Sequence, residues 1–329
     1  MTHRIIFMGT PDFSCPALQA LVQHPNVDVA LVLTQPDRPA GRGRQLQASP
    51  VKKLAGSLAL PVYQPRSLRT AEQRQPLVEV QPDLIVVAAY GLILGRSVLD
   101  LPTRGCVNLH ASILPQYRGA SPISAAILNG DRETGVTLMQ MDRGLDTGPM
   151  FDVARIGISA NDSTASLTQR LAATAADLLI RNVDTLLDGS LEAVAQPFGA
   201  TLTRPLVKSD GWIDWTRPVS EIERLVRAMW SWPRAWTTLP DGSSFQLHAA
   251  SVETDEVDVT PAEIRTDRST FLVGCGNGSL RVERGQLAGG KPLDGAQLVT
   301  IPTLGDATRL GGSGRPTVPG PMFQSVGEG

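Results

Sequence analysis

Cysteine is scarce in this 329-residue chain, with only Cys15, Cys106 and Cys275. Their odd number and wide spacing exclude a disulfide framework and a thiolate metal site, and fit reduced thiols in a cytosolic protein. Long apolar runs are missing too. The longest, residues 84–94, is interrupted by Gly91 and falls far short of the roughly 20 residues that a bilayer span needs. Residues 1–9 pass straight into a strand pattern, without the longer apolar region and small-residue cleavage site of a signal peptide. The expectation is a soluble protein that stays in the cytoplasm. A dominant charge is absent as well. Thirty Lys and Arg face 32 Asp and Glu, so any nucleic acid would have to be held by local patches. No His, Cys, Asp and Glu cluster has ligand spacing, and no metal is expected. Gly9-Thr10-Pro11-Asp12 lacks the three-glycine spacing of a dinucleotide turn, and Gly41-Arg42-Gly43-Arg44 lacks the Gly-Lys-Ser/Thr of a phosphate loop.

What is present is material for two domains, since the chain is too long for one small core and 42% of it is hydrophobic. The first half alternates apolar runs with amphipathic stretches. Strands are expected at residues 4–8, 27–33 and 83–89, with a helix over 13–22. The third strand is apolar at nearly every position, as in a parallel sheet covered on both faces. That order predicts an α/β fold, a doubly wound Rossmann-like and mostly parallel sheet. The longest helical pattern covers 165–187, with Asp162 or Ser163 as N-cap and Gly189 as stop. After about residue 199 the pattern changes to short alternating runs separated by Gly, Asp and Pro, which predicts a smaller β-barrel-like domain. The expected division is 1–190 catalytic, 191–206 linker and 207–310 second domain. The Gly- and Pro-rich stretch 311–329 is expected to be a poorly ordered tail.

Two segments carry chemistry. Asn108-Leu109-His110 sits where a strand over 105–109 runs into a Pro- and Gly-bounded loop. Residues two apart on a strand share a side, so Asn108 and His110 can face one cavity. An Asn amide can donate to an oxyanion and a His can take a proton near neutrality, which suits attack of an amine on an acyl carbon. The pair also reads as a satisfied polar turn. Met139-Gln140-Met141-Asp142-Arg143-Gly144-Leu145-Asp146-Thr147-Gly148-Pro149 places Asp146 between two glycines that let the backbone bend sharply. A carboxylate there could orient His110 and favour its charged form, or simply be solvated on a hairpin turn.

Several uninterrupted stretches in order resolve these alternatives. They are Phe7-Met8-Gly9-Thr10-Pro11-Asp12-Phe13, Thr34-Gln35-Pro36-Asp37-Arg38-Pro39-Ala40-Gly41-Arg42-Gly43-Arg44, and the run from Asn108 to Ile123. Gly144-Leu145-Asp146-Thr147-Gly148-Pro149-Met150 and Ile213-Asp214-Trp215 complete them. From about Arg4 to the region of Leu287 the chain resembles the methionyl-tRNA formyltransferase family, a branch of the folate-dependent formyltransferases. The resemblance implies transfer of a formyl group from 10-formyltetrahydrofolate, as cosubstrate, to methionyl initiator tRNA. It makes Asn108, His110 and Asp146 the catalytic trio. It also implies that the loop carrying Ala88, Ala89, Tyr90 and Gly91 and the loop carrying Gln140, Met141, Asp142 and Gly144 form the reduced-folate pocket. Ser112, Ile113, Leu114 and Pro115 match the family's Ser-Leu-Leu-Pro signature, with Ile113 as a conservative departure, and would shape that pocket.

Residues 35–47 hold Arg38, Arg42 and Arg44 against a single acid, Asp37, a composition fitting either a solvated basic loop or an arm for the tRNA acceptor end. The resemblance gives Arg42 that tRNA role. It also implies that the second domain is an OB-like tRNA-binding module in which Lys208 matches a family lysine. Pro205 stands where another lysine is usual, and Met229-Trp230-Ser231-Trp232-Pro233 replaces Phe-Asn-Pro-Trp-Pro. Residues 206–310 carry 11 Lys and Arg against 14 Asp and Glu, a net of −3 that does not suit phosphate contacts. Trp230, Trp232 and Trp236 read either as base-stacking surfaces or as packing at a domain junction. Nothing demands more than a monomer. The alternatives are a formyltransferase for a sugar nucleotide or glycinamide ribotide, a deformylating hydrolase, and a non-catalytic tRNA-binding protein.

Overall fold

The structure is a computed structural model that describes residues 2–40, 45–255, 259–305, 308–311, 316–317 and 321–326. Its first sheet contains β1 (His3–Gly9), β2 (Val27–Leu33), β3 (Val62–Tyr63), β4 (Leu84–Ala88), β5 (Cys106–His110), β6 (Glu133–Gln140) and β7 (Met150–Gly157). Their spatial order is β7-β6-β5-β4-β1-β2-β3. The ladders from β3 to β5 are parallel, and β6 and β7 are added antiparallel. The chain reverses its direction of travel across the sheet between β1 and β4. Open α/β sheets bind ligands at the carboxyl ends of strands beside such a reversal.

Alternation explains the double winding. Ile5 and Phe7 of β1, with Val86 of β4 and Val107 and Leu109 of β5, join one core with α1 (Cys15–Gln23) and α6 (Thr164–Asp188). Ile6 and Met8, with Ile85, Val87 and Cys106, join the opposite core under α3 (Ala71–Val80). A strand buried on both faces has no polar positions to alternate, hence its continuous apolar run. The long helix α6 starts at Ser163, which exchanges bonds with Ser166 in a capping box, and ends at Gly189 in the left-handed region. Leu167, Leu171, Ala175, Leu178 and Leu179 form its buried stripe.

The second sheet is antiparallel, with β8 (Ala235–Thr238), β9 (Ser244–Val252), β10 (Ile264–Thr266), β11 (Phe271–Gly274) and β12 (Ser279–Leu287) in the order β8-β9-β12-β11-β10. Helix α7 (Val219–Ala228) covers it through Val219, Ile222 and Val226, in one core with Phe245, Leu247, Phe271 and Val273. The sheet is antiparallel throughout, and among the described residues no ladder joins its outer strands β8 and β10. Helix α7 also ties the two sheets together. Arg224 and Arg227 donate to the carbonyls of Leu128 and Asp162, while Thr164 donates to that of Ala228.

Where composition predicts an unordered tail, Phe323–Ser325 is a strand. It pairs antiparallel with Thr201–Thr203, which in turn pairs parallel with Arg118–Gly119. Long-range pairing organises a segment whose glycines and prolines alone argue against order. No described helix is long and apolar enough to cross a membrane.

Candidate active site

The parity of β5 sets the site. Val107 and Leu109 enter the α6-side core, so Asn108 and His110 point to the other face, both buried. Asp146 arrives from the loop between β6 and β7. The Asn108 amide donates to Asp146 Oδ1 at 3.3 Å, and His110 Nδ1 lies 3.5 Å from Asp146 Oδ2. Three side chains distant in the sequence therefore converge, and Asp146 is held among them instead of standing free in solvent. Only 15% of the Asp146 side chain and 7% of that of His110 are accessible, which strengthens their interaction over that of a surface pair.

Main-chain groups complete the arrangement. His110 Nε2 donates to the Tyr117 carbonyl at 2.9 Å, and the Gly119 N–H donates to Asp146 Oδ2 at 2.8 Å. The two imidazole nitrogens thus face the Tyr117 carbonyl and the Asp146 carboxylate. Asp146 itself has φ +54°, a left-handed conformation uncommon for a residue with a side chain. These backbone partners were missed in the sequence because any residue supplies an N–H and a carbonyl. The departure of Gly119 into φ +99° was their only trace.

The residues expected around a folate fall in three groups. Ala88 ends β4, its carbonyl accepting from Ser14 Oγ. Ala89 and Gly91 follow in the left-handed region at φ +48° and +86°. Between them Tyr90 is buried, its hydroxyl without a partner among the described residues and its carbonyl bonded by Thr10 and Gln35. Burial pushes the Tyr90 phenol well above its ordinary range, so it remains a neutral O–H. Met141, just past Gln140, packs against the apolar cluster that contains Tyr90 and Leu94, so two of the three groups meet. Asp142 turns inward on its own loop, accepting from the Gly144 N–H and from Thr147 Oγ1. The third group is fixed to β6. Thr137 Oγ1 donates to the Ser112 carbonyl and accepts from the Leu114 N–H, with Ile113 and Pro115 alongside.

Of the residues expected to meet a tRNA, Arg38 and Lys208 are among the described residues. Arg38 is exposed and starts a hairpin, Arg38–Ala40 with Gln45–Gln47; Arg42 and Arg44 lie outside the described residues. Asp37, the single acid there, is engaged by Lys52 at 2.6 Å and by Gln64, not by Arg38. Lys208 is exposed, with its ammonium 5.2 Å from the centre of the Trp236 ring. The tryptophans divide. Trp236 packs edge-on against Trp212 and is buried, whereas Trp230 and Trp232 are exposed, with Arg234 lying over Trp230. Among the described residues no three His, Cys, Asp or Glu side chains could hold a metal.

A Rossmann-like sheet with an Asn-x-His strand end facing an Asp loop defines a class, and the chain belongs to the formyl transferase family. Residues 3–183 match Formyl transferase and residues 205–302 match Formyl transferase, C-terminal domain. Its relatives include the methionyl-tRNA formyltransferase of Marinobacter nauticus, 45% identical over 91% of this chain and 98% of that protein. That of Geobacter sulfurreducens is 44% identical, covering 94% of this chain and 98% of its own length. Among solved structures, a Helicobacter canadensis N-formyltransferase with folinic acid and dTDP-3-aminofucose superposes with a TM-score of 0.64 at 17% identity, over 86% of this chain and 99% of that one. HypX of Aquifex aeolicus in complex with tetrahydrofolic acid gives 0.61 at 17% identity, over 91% and 47%. At such identities these two show the fold alone.

Proposed function

We propose that this chain is a methionyl-tRNA formyltransferase, which moves the formyl group of 10-formyltetrahydrofolate onto the α-amine of methionine esterified to initiator tRNA, for translation initiation. The observation that carries the reading is the meeting of Asn108, His110 and Asp146 around one pocket edge, in a chain so widely alignable with such enzymes. The amine nitrogen attacks the formyl carbon, a C–N bond forms, and the carbonyl oxygen takes the negative charge. The Asn108 N–H not used on Asp146 and the Nδ1 edge of His110 stabilise that oxyanion. Nε2 is occupied by the Tyr117 carbonyl, so Nδ1, beside Asp146, is the position that handles the proton. Collapse breaks the bond from the formyl carbon to the folate nitrogen, and the proton lost by the amine ends on that nitrogen.

A flat pterin fits the remaining features. Ala88, Ala89, Tyr90 and Gly91 line one side of the pocket, where the buried Tyr90 hydroxyl, without a partner among the described residues, offers its O–H to a polar atom. Gln140, Met141, Asp142 and Gly144 close the other side, with Ser112, Ile113, Leu114 and Pro115 as its floor. Arg38, Arg42 and Arg44 serve as the acceptor-end arm, and Lys208 with the exposed Trp230 and Trp232 serves the body of the tRNA. In this reading residues 1–190 are the catalytic domain, 191–206 the linker and 207–310 an OB-like tRNA-binding module, in a cytoplasmic monomer. The test is formyl transfer from 10-formyltetrahydrofolate to charged initiator tRNA, charged elongator tRNA, an amino-sugar nucleotide and glycinamide ribotide. Transfer confined to the initiator tRNA is expected. Preference for a small amine would overturn the substrate assignment, and tRNA binding with no transfer to any acceptor would leave only a tRNA-binding protein.

A further inference from the structure

The segment between the two sheets does more than connect them. Met150 and Val194 exchange both main-chain bonds, at 2.7 and 2.8 Å, which fixes the segment to the end of the Asp146 loop. Seven residues on, Thr201 donates its N–H to the Pro115 carbonyl and accepts the Tyr117 N–H on its hydroxyl at 2.7 Å. Between these anchors stands Gln196, partly buried. Its Nε2 donates to the carbonyls of Asp146 and Gly148, both at 2.8 Å. Its Oε1 accepts from Arg118 Nε at 3.0 Å and Nη2 at 2.8 Å. A carboxamide has two donor hydrogens and two acceptor sites, and all four are used. The partners also fix its orientation, since the carbonyls only accept and the guanidinium only donates.

We infer that Gln196 is a positioning residue for the formyl transfer, clamping the main chain of Asp146 to Arg118 and so setting the carboxylate against Asn108 and His110. The inference rests on the reading of Asp146 as a member of the catalytic trio. Asp146 sits at φ +54°, a conformation that the surroundings must enforce. Hydrogen bonds enforce it: the Asn108 amide and the Gly119 N–H on its carboxylate, and the Gln196 amide on its carbonyl. Arg118 precedes Gly119, so Gln196 grips both sides of the site at once. A loop freed at its carbonyl lets the carboxylate drift, and a misplacement of about 1 Å in a reacting constellation can cost on the order of 100-fold in rate.

Three variants test this in the full chain with charged initiator tRNA and 10-formyltetrahydrofolate. Gln196→Ala should lower kcat about 10- to 100-fold, with KM for the folate within about twofold of the parent. Gln196→Glu keeps an acceptor for Arg118 but sets a carboxylate against two carbonyls. It should lose kcat to the same degree at an unchanged melting temperature and shift the pH–rate profile, which loss of mere bulk support would not do. Asp146→Asn supplies the reference. Near-normal kcat in both Gln196 variants beside an inactive Asp146→Asn overturns the inference and spares the trio. An active Asp146→Asn overturns the trio and the role of Gln196 with it.

Discussion

The imidazole of His110 and the main chain of Tyr117 are joined by a 2.9 Å hydrogen bond from Nε2 to the carbonyl, seven residues along the chain. The bond leaves Nδ1 to face Asp146 and fixes which edge of the ring meets a reacting group. Tyr117 is itself held in the left-handed region at φ +58°, its phenol donating to Asp131 at 2.7 Å. The orientation of the ring is thus set by a loop anchored outside the site. His110→Ala should reduce kcat by roughly 10²–10⁴-fold, the usual worth of a positioned acid–base group. Folate affinity, measured by fluorescence quenching, should stay within about twofold, since the ring is not part of the expected pterin contacts. A variant that turns over normally removes His110 from the chemistry.

Gly119 offers a second check. Its N–H donates to the Asp146 carboxylate, its φ is +99°, and a Cβ placed there would stand 2.3 Å from the Thr203 carbonyl oxygen. Gly119→Ala therefore meets both backbone strain and a collision with main chain that has little room to retreat. The loss in unfolding free energy should be on the order of 1–3 kcal/mol, with kcat falling as the N–H moves. Gly199→Ala is the control, since Gly199 has a similar φ of +90° but open space around it. Chemical denaturation of both should rank Gly119→Ala as the more damaging; equal effects would show that the collision is relieved.

Much of this site was legible because strand periodicity is strict. Once residues 105–109 read as a strand, Asn108 and His110 had to share a face, and the structure puts both against Asp146. The doubly buried β1 and β4 were legible for the same reason, their apolar runs being too short for anything but buried strands. What stayed hidden depends on partners far along the chain. Gln196 looks like any linker glutamine until its amide is seen between Asp146, Gly148 and Arg118. Composition also says less about two regions. Turn-rich alternation predicts antiparallel strands correctly, yet cannot say whether the edge strands β8 and β10 meet. A Gly- and Pro-rich tail advertises chain flexibility, yet Phe323–Ser325 finds a sheet edge waiting at Thr201–Thr203.

His248 gives the second domain a pH dependence. It lies on β9 with Nε2 buried and without a hydrogen-bond partner among the described residues. Burial lowers its pKa below the ordinary 6.5, and the nearby Arg234 and Arg284 act in the same direction, while a hydrogen bond with Gln286 opposes them. The unfolded chain then binds the proton more tightly than the folded one. The stability tied to neutral His248 is complete above about 6.5, the unfolded value, and is lost as pH falls below it. The urea midpoint should drop between pH 7.5 and 5.5, and His248→Gln, uncharged throughout, should flatten that part of the slope. An identical slope in the variant would assign the acid sensitivity elsewhere.

The end of the chain supplies the last prediction. Residues 303–329 lie beyond both family matches, yet part of this segment reaches the loop that carries Tyr117. Phe323–Ser325 pairs with Thr201–Thr203, the Arg204 N–H donates to the Met322 carbonyl, and the Val326 N–H donates to that of Ala200. The Phe323 ring meets Tyr117 edge-on, with centroids 5.7 Å apart at 89°. Such an aromatic pair contributes about 0.5–1.5 kcal/mol beyond the area it buries. Tyr117 is the residue whose carbonyl holds His110, so the tail braces the loop that sets the imidazole edge. A chain shortened to residues 1–311 should unfold at lower urea and exchange the amide hydrogens of residues 116–120 faster. Its kcat should fall more than its KM for either substrate rises. Phe323→Ala in the full chain should reproduce part of each effect while retaining the strand. Unchanged exchange at 116–120 in both variants would show that this loop holds its shape without the tail.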